Sequence, residues 1–242
     1  MDIIFVEIIL ITLLSFFQSI FGVGLLLYGT PIFLILGNDF LYSLSILLPV
    51  SMVISLLQLF NNNSIFKLKF IKLFSFITLP FLIVTLLILI QFYKNIDIKL
   101  LVSFVIIFFS LNNLIFTKFM SIFFLNIKNQ YIVFSFIGII HGLTNLGGSL
   151  LAITSSQINS KKNNIRTCIA YGYFTMGLLQ LIFIYLFTDI NFEINNFIYI
   201  LIPILIFKVS QKLYINLSDL RFNRVLNIIT LIFGLYLYIS LN

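Results

Sequence analysis

The sequence predicts an all-α, polytopic membrane protein built as two inverted repeats, each a broken, re-entrant helical hairpin followed by three transmembrane helices. Three observations predict it. Hydrophobic residues make up 61% of the 242-residue chain and charged residues 9%, whereas a soluble domain is roughly half apolar and a quarter charged. The apolar residues fall into eight runs separated by short polar loops. Two of those runs are too long for one upright helix, too short for two full spans, and carry glycines in their middles.

A span needs about 20 apolar residues to cross roughly 30 Å of hydrocarbon. The first run, Ile3 to Leu36, is interrupted at Gly22, Val23 and Gly24, and is expected to form two short helices that meet near the midplane. Phe40 to Phe60, Phe70 to Phe92 and Leu100 to Thr117 read as single crossings. Tyr131 to Ile158 repeats the hairpin pattern around Asn145, Gly147, Gly148 and Ser149. Ile165 to Phe187, Phe197 to Phe207 with its flanks, and Val225 to Leu241 complete the second set. The first residues are acidic, with Asp2 and Glu7, and have neither a basic n-region nor a small-residue cleavage site, so they are expected to open a span rather than form a signal peptide. No linker is long enough to hold a soluble domain.

Charge placement orders these segments across the bilayer. Lys67, Lys69 and Lys72 occupy one loop, Lys118 and Lys128 a second, Lys161, Lys162 and Arg166 a third, and Lys208, Lys212, Arg221 and Arg224 a fourth. These four loops hold 12 of the 14 basic residues, and the positive-inside rule makes all of them cytoplasmic. The loops on both sides of Tyr131 to Ile158 then lie on one face, so that segment must enter and return. Asp39 and the acidic N-terminus give Ile3 to Leu36 the same behaviour on the opposite face, and both termini are expected outside. The net charge of +7 thus reflects orientation in a cell membrane rather than a nucleic-acid partner. With Glu7 placed near the surface, no Asp, Glu, Lys or Arg is expected inside a span.

An internal repeat supports the two-part reading. A shift of 123 residues lays Ser15 on Gly138, Gln18 on His141, Ser19 on Gly142, Gly22 on Asn145, Gly24 on Gly147 and Pro80 on Pro203. A shift of 122 lays Gln58, within three leucines, on Gln180 in the same setting. The halves are residues 1–121 and 122–242. One hairpin and three crossings per half is an odd net number, which turns the second half upside down. Inverted repeats of this kind belong to secondary transporters, where substrate binds between discontinuous helices.

The candidate binding residues lie at and beside the two interruptions. Helices that restart after Gly22 to Gly24 and after Gly147 to Ser149 would aim free N–H groups and a positive dipole end at a ligand, which suits an anion. Gly138 and Gly142 read instead as a close helix contact of the small-xxx-small type. His141 is one helical turn before Asn145, and Gln18 takes its place in the first half. His141 can hold an anion, carry a proton, or be a neutral imidazole bonded to a carbonyl. Ser51, Ser55 and Gln58 form one polar stripe, and Tyr173, Gly177 and Gln180 form its counterpart. The expected substrate-binding set is Gln18, Gly22, Gly24, Gln58, His141, Asn145, Gly147, Gly148, Ser149 and Gln180. One histidine and one cysteine, Cys168, offer neither a zinc site nor a disulfide. No cofactor or catalytic constellation is visible, which argues against an enzyme. The 30 phenylalanines fit biased, AT-rich coding better than an aromatic site.

The stretch from Ser15 through Gly22, Gly24, Leu25 and Leu26 to Ser45, and its counterpart from Gly142 through Asn145, Gly147, Gly148 and Ser149 to Arg166 and Gln180, resemble the sulfite exporter TauE/SafE family of membrane permeases. In that family each half opens with a glycine-rich segment followed by a helix with small residues. The resemblance implies transport of a sulfur oxyanion or organosulfonate such as sulfite across the cytoplasmic membrane by alternating access. Leu25, Leu26 and Asn145 stand where the family often has glycine. The partners expected are the lipid bilayer and a small anionic substrate, with a homo-oligomer left open. The alternative reading is a non-transporting membrane subunit that scaffolds a partner protein.

Overall fold

The computed structural model describes residues 3–61, 68–102, 104–105, 127–190, 196–222 and 225. Its eight longer helices are α1 (Ile3–Phe21), α2 (Leu25–Ile35), α3 (Phe40–Asn61), α4 (Leu68–Asn95), α5 (Ile127–Thr144), α6 (Gly148–Ile158), α7 (Lys162–Phe187) and α8 (Asn196–Asn216). No strand occurs among the described residues. The crossings expected at Leu100 to Thr117 and Val225 to Leu241 lie almost wholly outside them, as does the division of the chain at 121/122.

Among the described residues five helices are long and apolar enough to cross a membrane: Ile4–Phe21, Phe40–Asn61, Leu68–Asn95, Lys162–Phe187 and Ile198–Asn216. Their outer faces are apolar, with Val84 and Ile88 on α4, Leu178 and Ile182 on α7, and Leu201 and Leu205 on α8 all exposed. Ser15, Gln18, Ser51, Ser55, Gln58, His141 and Gln180 are buried inside. Polar groups inside and hydrocarbon outside reverse the pattern of a water-soluble bundle and match lipid as solvent. The chain is a multi-pass membrane protein.

Side-chain pairs fix the helix directions. Leu14 and Leu47 flank Gly29, and Gln18 meets Ser51 and Ser55, so α1 and α3 run the same way. α8 joins them, with Tyr199 bonded to Glu7 and Gln211 reaching Ser19. α4, α5 and α7 form a second group. Thr78 bonds the Phe134 carbonyl, Gly142 abuts Leu86, Tyr171 meets Ser75 and Gln180 meets His141, so these three also run together. The groups are opposed, because Gly177 lies against Met52 and Leu48 whereas Arg166 reaches Ser19, which Gln58 also holds.

The two short helices turn back. Asn38, just after α2, donates to Glu7 near the start of α1 at 3.5 Å, so this hairpin leaves at the level where it entered. α6 descends along α7, with Gly148 beside Tyr173, Leu151 beside Gly172 and Asn159 beside Cys168. Lys69, Lys72, Lys161 and Lys162 begin α4 and α7 at the end where α8 finishes with Lys212, while Glu7 and Asp39 mark the other end.

The helix boundaries keep the spacing seen in the sequence. α1 and α5 stop 123 residues apart, and α2 and α6 are 11 residues each with both ends displaced by 123. The hairpin arms, however, are unequal, which corrects the expectation of two short helices meeting near the midplane. α1 has 19 residues and α5 has 18. Nothing in Ile3–Phe21 breaks a helix before Gly22, so the first arm runs most of the way across and the interruption falls near its far end. Pro80 is preceded by a π-helical turn, Phe74–Thr78. Proline lacks an N–H and crowds the preceding turn, and a wider turn relieves both.

Gly138 and Gly142 make the close contact expected of them. A Cβ on Gly138 would overlap the Thr78 carbonyl oxygen, and one on Gly142 the Thr85 hydroxyl. Gly138→Ala should therefore cost about 1–3 kcal/mol of stability. Gly177→Ala should cost less, because its nearest neighbour is the flexible Met52 side chain at 3.0 Å. Thermal unfolding in detergent ranks the two, and equal midpoints would refute the contact.

Candidate functional site

Each hairpin breaks for a different local reason. Gly22 has φ 81° and Gly24 has φ 150°, a backbone that side chains with a Cβ rarely adopt. Asn145 stands in Gly22's place with φ 63°, and asparagine is among the few non-glycine residues that tolerate this left-handed region. Gly147 has an ordinary φ of −60°. It is glycine because a Cβ there would lie 2.6 Å from His141 Cβ and 2.7 Å from the Ile137 carbonyl oxygen. A Cβ on Gly148 would fall on the Tyr173 hydroxyl.

A helix that stops inside a membrane leaves carbonyls without an intrahelical donor, and lipid offers none. At each tip a glutamine adds a donor to a carbonyl that the backbone already serves, since Gly22 N–H bonds the Gln18 carbonyl and Asn145 N–H the His141 carbonyl, each at 2.8 Å. Gln58 Nε2 donates to the Gln18 carbonyl at 2.6 Å and the Ser19 carbonyl at 3.1 Å. Gln180 Nε2 donates to the His141 carbonyl at 3.2 Å. Arg166 adds a bond to the Ser19 carbonyl at 3.2 Å and one to Gln211 Oε1 at 3.1 Å, and its guanidinium lies 3.5 Å from the Tyr214 ring centroid.

The ten expected site residues fall into two groups. Gln18, Gly22, Gly24 and Gln58 form the first tip, where Gln18 Nε2 donates to Ser51 Oγ at 2.8 Å and reaches Ser55 Oγ at 3.4 Å. His141, Asn145, Gly147, Gly148, Ser149 and Gln180 form the second. Gly22 faces Ile169 and His141 is held by Gln180, eleven residues further along α7, so the tips are separated by about 16 Å along that helix at 1.5 Å per residue. The hairpins are linked by a bond from Asn145 Nδ2 to Thr30 Oγ1 at 2.9 Å. Ser149 is engaged locally, its hydroxyl donating to the Leu146 carbonyl at 3.1 Å.

The second tip holds the larger set of unsatisfied groups. Both ring nitrogens of His141, Asn145 Oδ1, Tyr173 Oη and Gln180 Oε1 have no hydrogen-bond partner, and all four side chains are 0% exposed. The His141 and Tyr173 rings meet edge to face with centroids 6.1 Å apart. At the first tip the corresponding atoms are Ser15 Oγ, Ser19 Oγ and Gln58 Oε1. Buried polar atoms are ordinarily paired, so a cluster of unpaired ones marks a place where a ligand or water is expected.

Sequence reasoning missed three participants. Tyr173 appears in the polar stripe but not in the site, and Thr30 gave no signal. Arg166 reads as a loop residue in a basic run, yet it is 0% exposed. Glu7 is likewise only 1% exposed, bonded by Tyr199 at 2.6 Å. The interior thus holds two charged side chains where none was expected. The long side chain of Arg166 reaches inward from the first turns of α7, which a reading by loop position cannot register.

No group of three or more His, Cys, Asp or Glu side chains able to hold a metal occurs among the described residues. Comparison with protein-family models, curated proteins and solved structures finds no match.

If the glutamines reinforce the broken ends, Gln58→Met and Gln180→Met should each lower stability by about 0.5–1.5 kcal/mol, the net worth of a buried hydrogen bond. Urea or thermal unfolding in detergent measures this. Wild-type stability in both variants would show that the amides are not needed.

Proposed function

We propose that the chain is a secondary carrier that moves a small anion, in the class of sulfur oxyanions and organosulfonates such as sulfite, across the cytoplasmic membrane by alternating access. The observation that carries this reading is the pair of broken hairpins entering from opposite ends of the bundle. Each ends in buried polar groups. Irregular backbone at membrane depth is tolerated only where protein or a water-filled path surrounds it, and discontinuous helices of this kind hold substrate in carriers.

An inverted repeat accounts for the arrangement. Supporting it are the shared 123-residue offset of the breaks, the equal lengths of α2 and α6, and the opposed directions of α3 and α7. Gln58 and Gln180 also make the same contact on Gln18 and His141, which are themselves paired by the offset. With the lysine-rich end cytoplasmic, α1 and α2 dip in from outside and α5 and α6 from inside. The resemblance of both hairpins to the TauE/SafE permeases adds the substrate class.

Proteoliposomes holding the purified chain should take up or release labelled sulfite or a small organosulfonate at a rate above empty vesicles. Gly148→Ala places a methyl group on the Tyr173 hydroxyl, and should lower flux about tenfold or more while membrane yield is unchanged. Wild-type flux in both Gly147→Ala and Gly148→Ala would remove the hairpin tips from the transport path.

A further inference from the structure

The two tips differ in what they still lack. At the first, Gln18 is engaged through its whole amide, Nε2 with Ser51 and Ser55 and Oε1 accepting from Ser51 Oγ at 3.2 Å. Serine hydroxyls on α1 are among the atoms left over there, and a helical serine can turn its hydroxyl to the carbonyl one turn back. The five atoms at the second tip belong to an imidazole, a phenol and two amides, groups whose bonding directions are fixed. Imidazole nitrogens lie on different edges of the ring, and an amide oxygen cannot donate.

The chemistry of those five atoms is mixed. Gln180 Nε2 is committed to the His141 carbonyl, so the free atom of that amide is necessarily an acceptor. A neutral imidazole offers one donor and one acceptor, and the Tyr173 hydroxyl offers a donor. The first N–H groups of α6 add donors at the positive end of its dipole. Gly147 and Gly148 leave that backbone bare, and Tyr173 Oη already occupies the space a Cβ at position 148 would fill. Among the described residues the only buried cation, Arg166, belongs to the first tip.

We infer that the second tip binds a small oxyanion that keeps one acidic hydroxyl, of the hydrogen sulfite or hydrogencarbonate type, in preference to a dianion or to a sulfonate without a hydroxyl. The ligand O–H donates to Gln180 Oε1 or to the bare nitrogen of His141. Its other oxygens accept from the His141 N–H, the Tyr173 hydroxyl and the start of α6. A sulfate dianion would face the Gln180 oxygen with nothing to donate and no cation beside it. Methanesulfonate has the right charge but sets a methyl group where the donor is required. The inference rests on the carrier reading and names the ligand of its site.

Binding and flux are measured separately, so that the two ideas fail separately. Purified protein is titrated with hydrogen sulfite, hydrogencarbonate, methanesulfonate and sulfate while thermal unfolding is followed, and the same four solutes are assayed in proteoliposomes. Hydrogen sulfite or hydrogencarbonate should bind about 10- to 100-fold more tightly than methanesulfonate and sulfate, the penalty of leaving one buried acceptor unpaired. Tyr173→Phe, which deletes one oxygen, and His141→Phe should weaken binding of the preferred anion, whereas Ser51→Ala at the first tip should not. Equal binding of methanesulfonate or sulfate, no binding by any of the four, or indifference to both ring substitutions overturns the inference. Flux of any of them then still upholds the carrier. The expected preference in binding without flux overturns the carrier and leaves the inference standing.

Discussion

Two glutamine amides carry the architecture. α1 and α5 each stop inside the protein, and each stop exposes carbonyls to a solvent that cannot bond them. The last backbone N–H groups, of Gly22 and Asn145, meet part of that need, and Gln58 and Gln180 reach across from α3 and α7 to add a second donor. The reversal at each tip, the short return helix and the polar interior all follow from having satisfied the break.

The same contact sets the difference between the tips. Gln58 works beside Arg166 and Gln211, which bring further donors to Ser19. The first tip is therefore tied down from α3, α7 and α8 together. At His141 the Gln180 amide joins the Asn145 backbone N–H, and the side chains around it keep unused bonding capacity. One hairpin is fastened and the other is left with chemistry to offer.

Much of this was legible in the residues. Gly22, Gly24, Asn145 and Gly147 marked the interruptions because glycine and asparagine are the residues a left-handed or crowded backbone requires. The spacing was readable because a matched Gln pair at an offset of 122 and a matched Pro pair at 123 are hard to align by chance in apolar spans. The lengths of the arms were not legible, since periodicity in Ile3 to Phe21 is the same for a full span and for half of one. Nor was the burial of Arg166 and Glu7, because a long side chain at a helix end points into the bundle or out of it according to its neighbours. The split of the ten site residues into two groups was hidden for the same reason: it depends on how far each arm travels before it breaks, and on α7 passing both tips.

The claim on which the rest depends is that the hairpins enter from opposite faces. The measurement that tests it uses a Cys168→Ser background with single cysteines introduced by Ile4→Cys, Leu36→Cys, Asn129→Cys or Ser160→Cys, and a membrane-impermeant maleimide applied to intact and to opened cells. The account predicts that the first two label from outside in intact cells and the last two only after the membrane is opened. Labelling of Ile4→Cys and Leu36→Cys from different sides, or of all four from the same side, would contradict it.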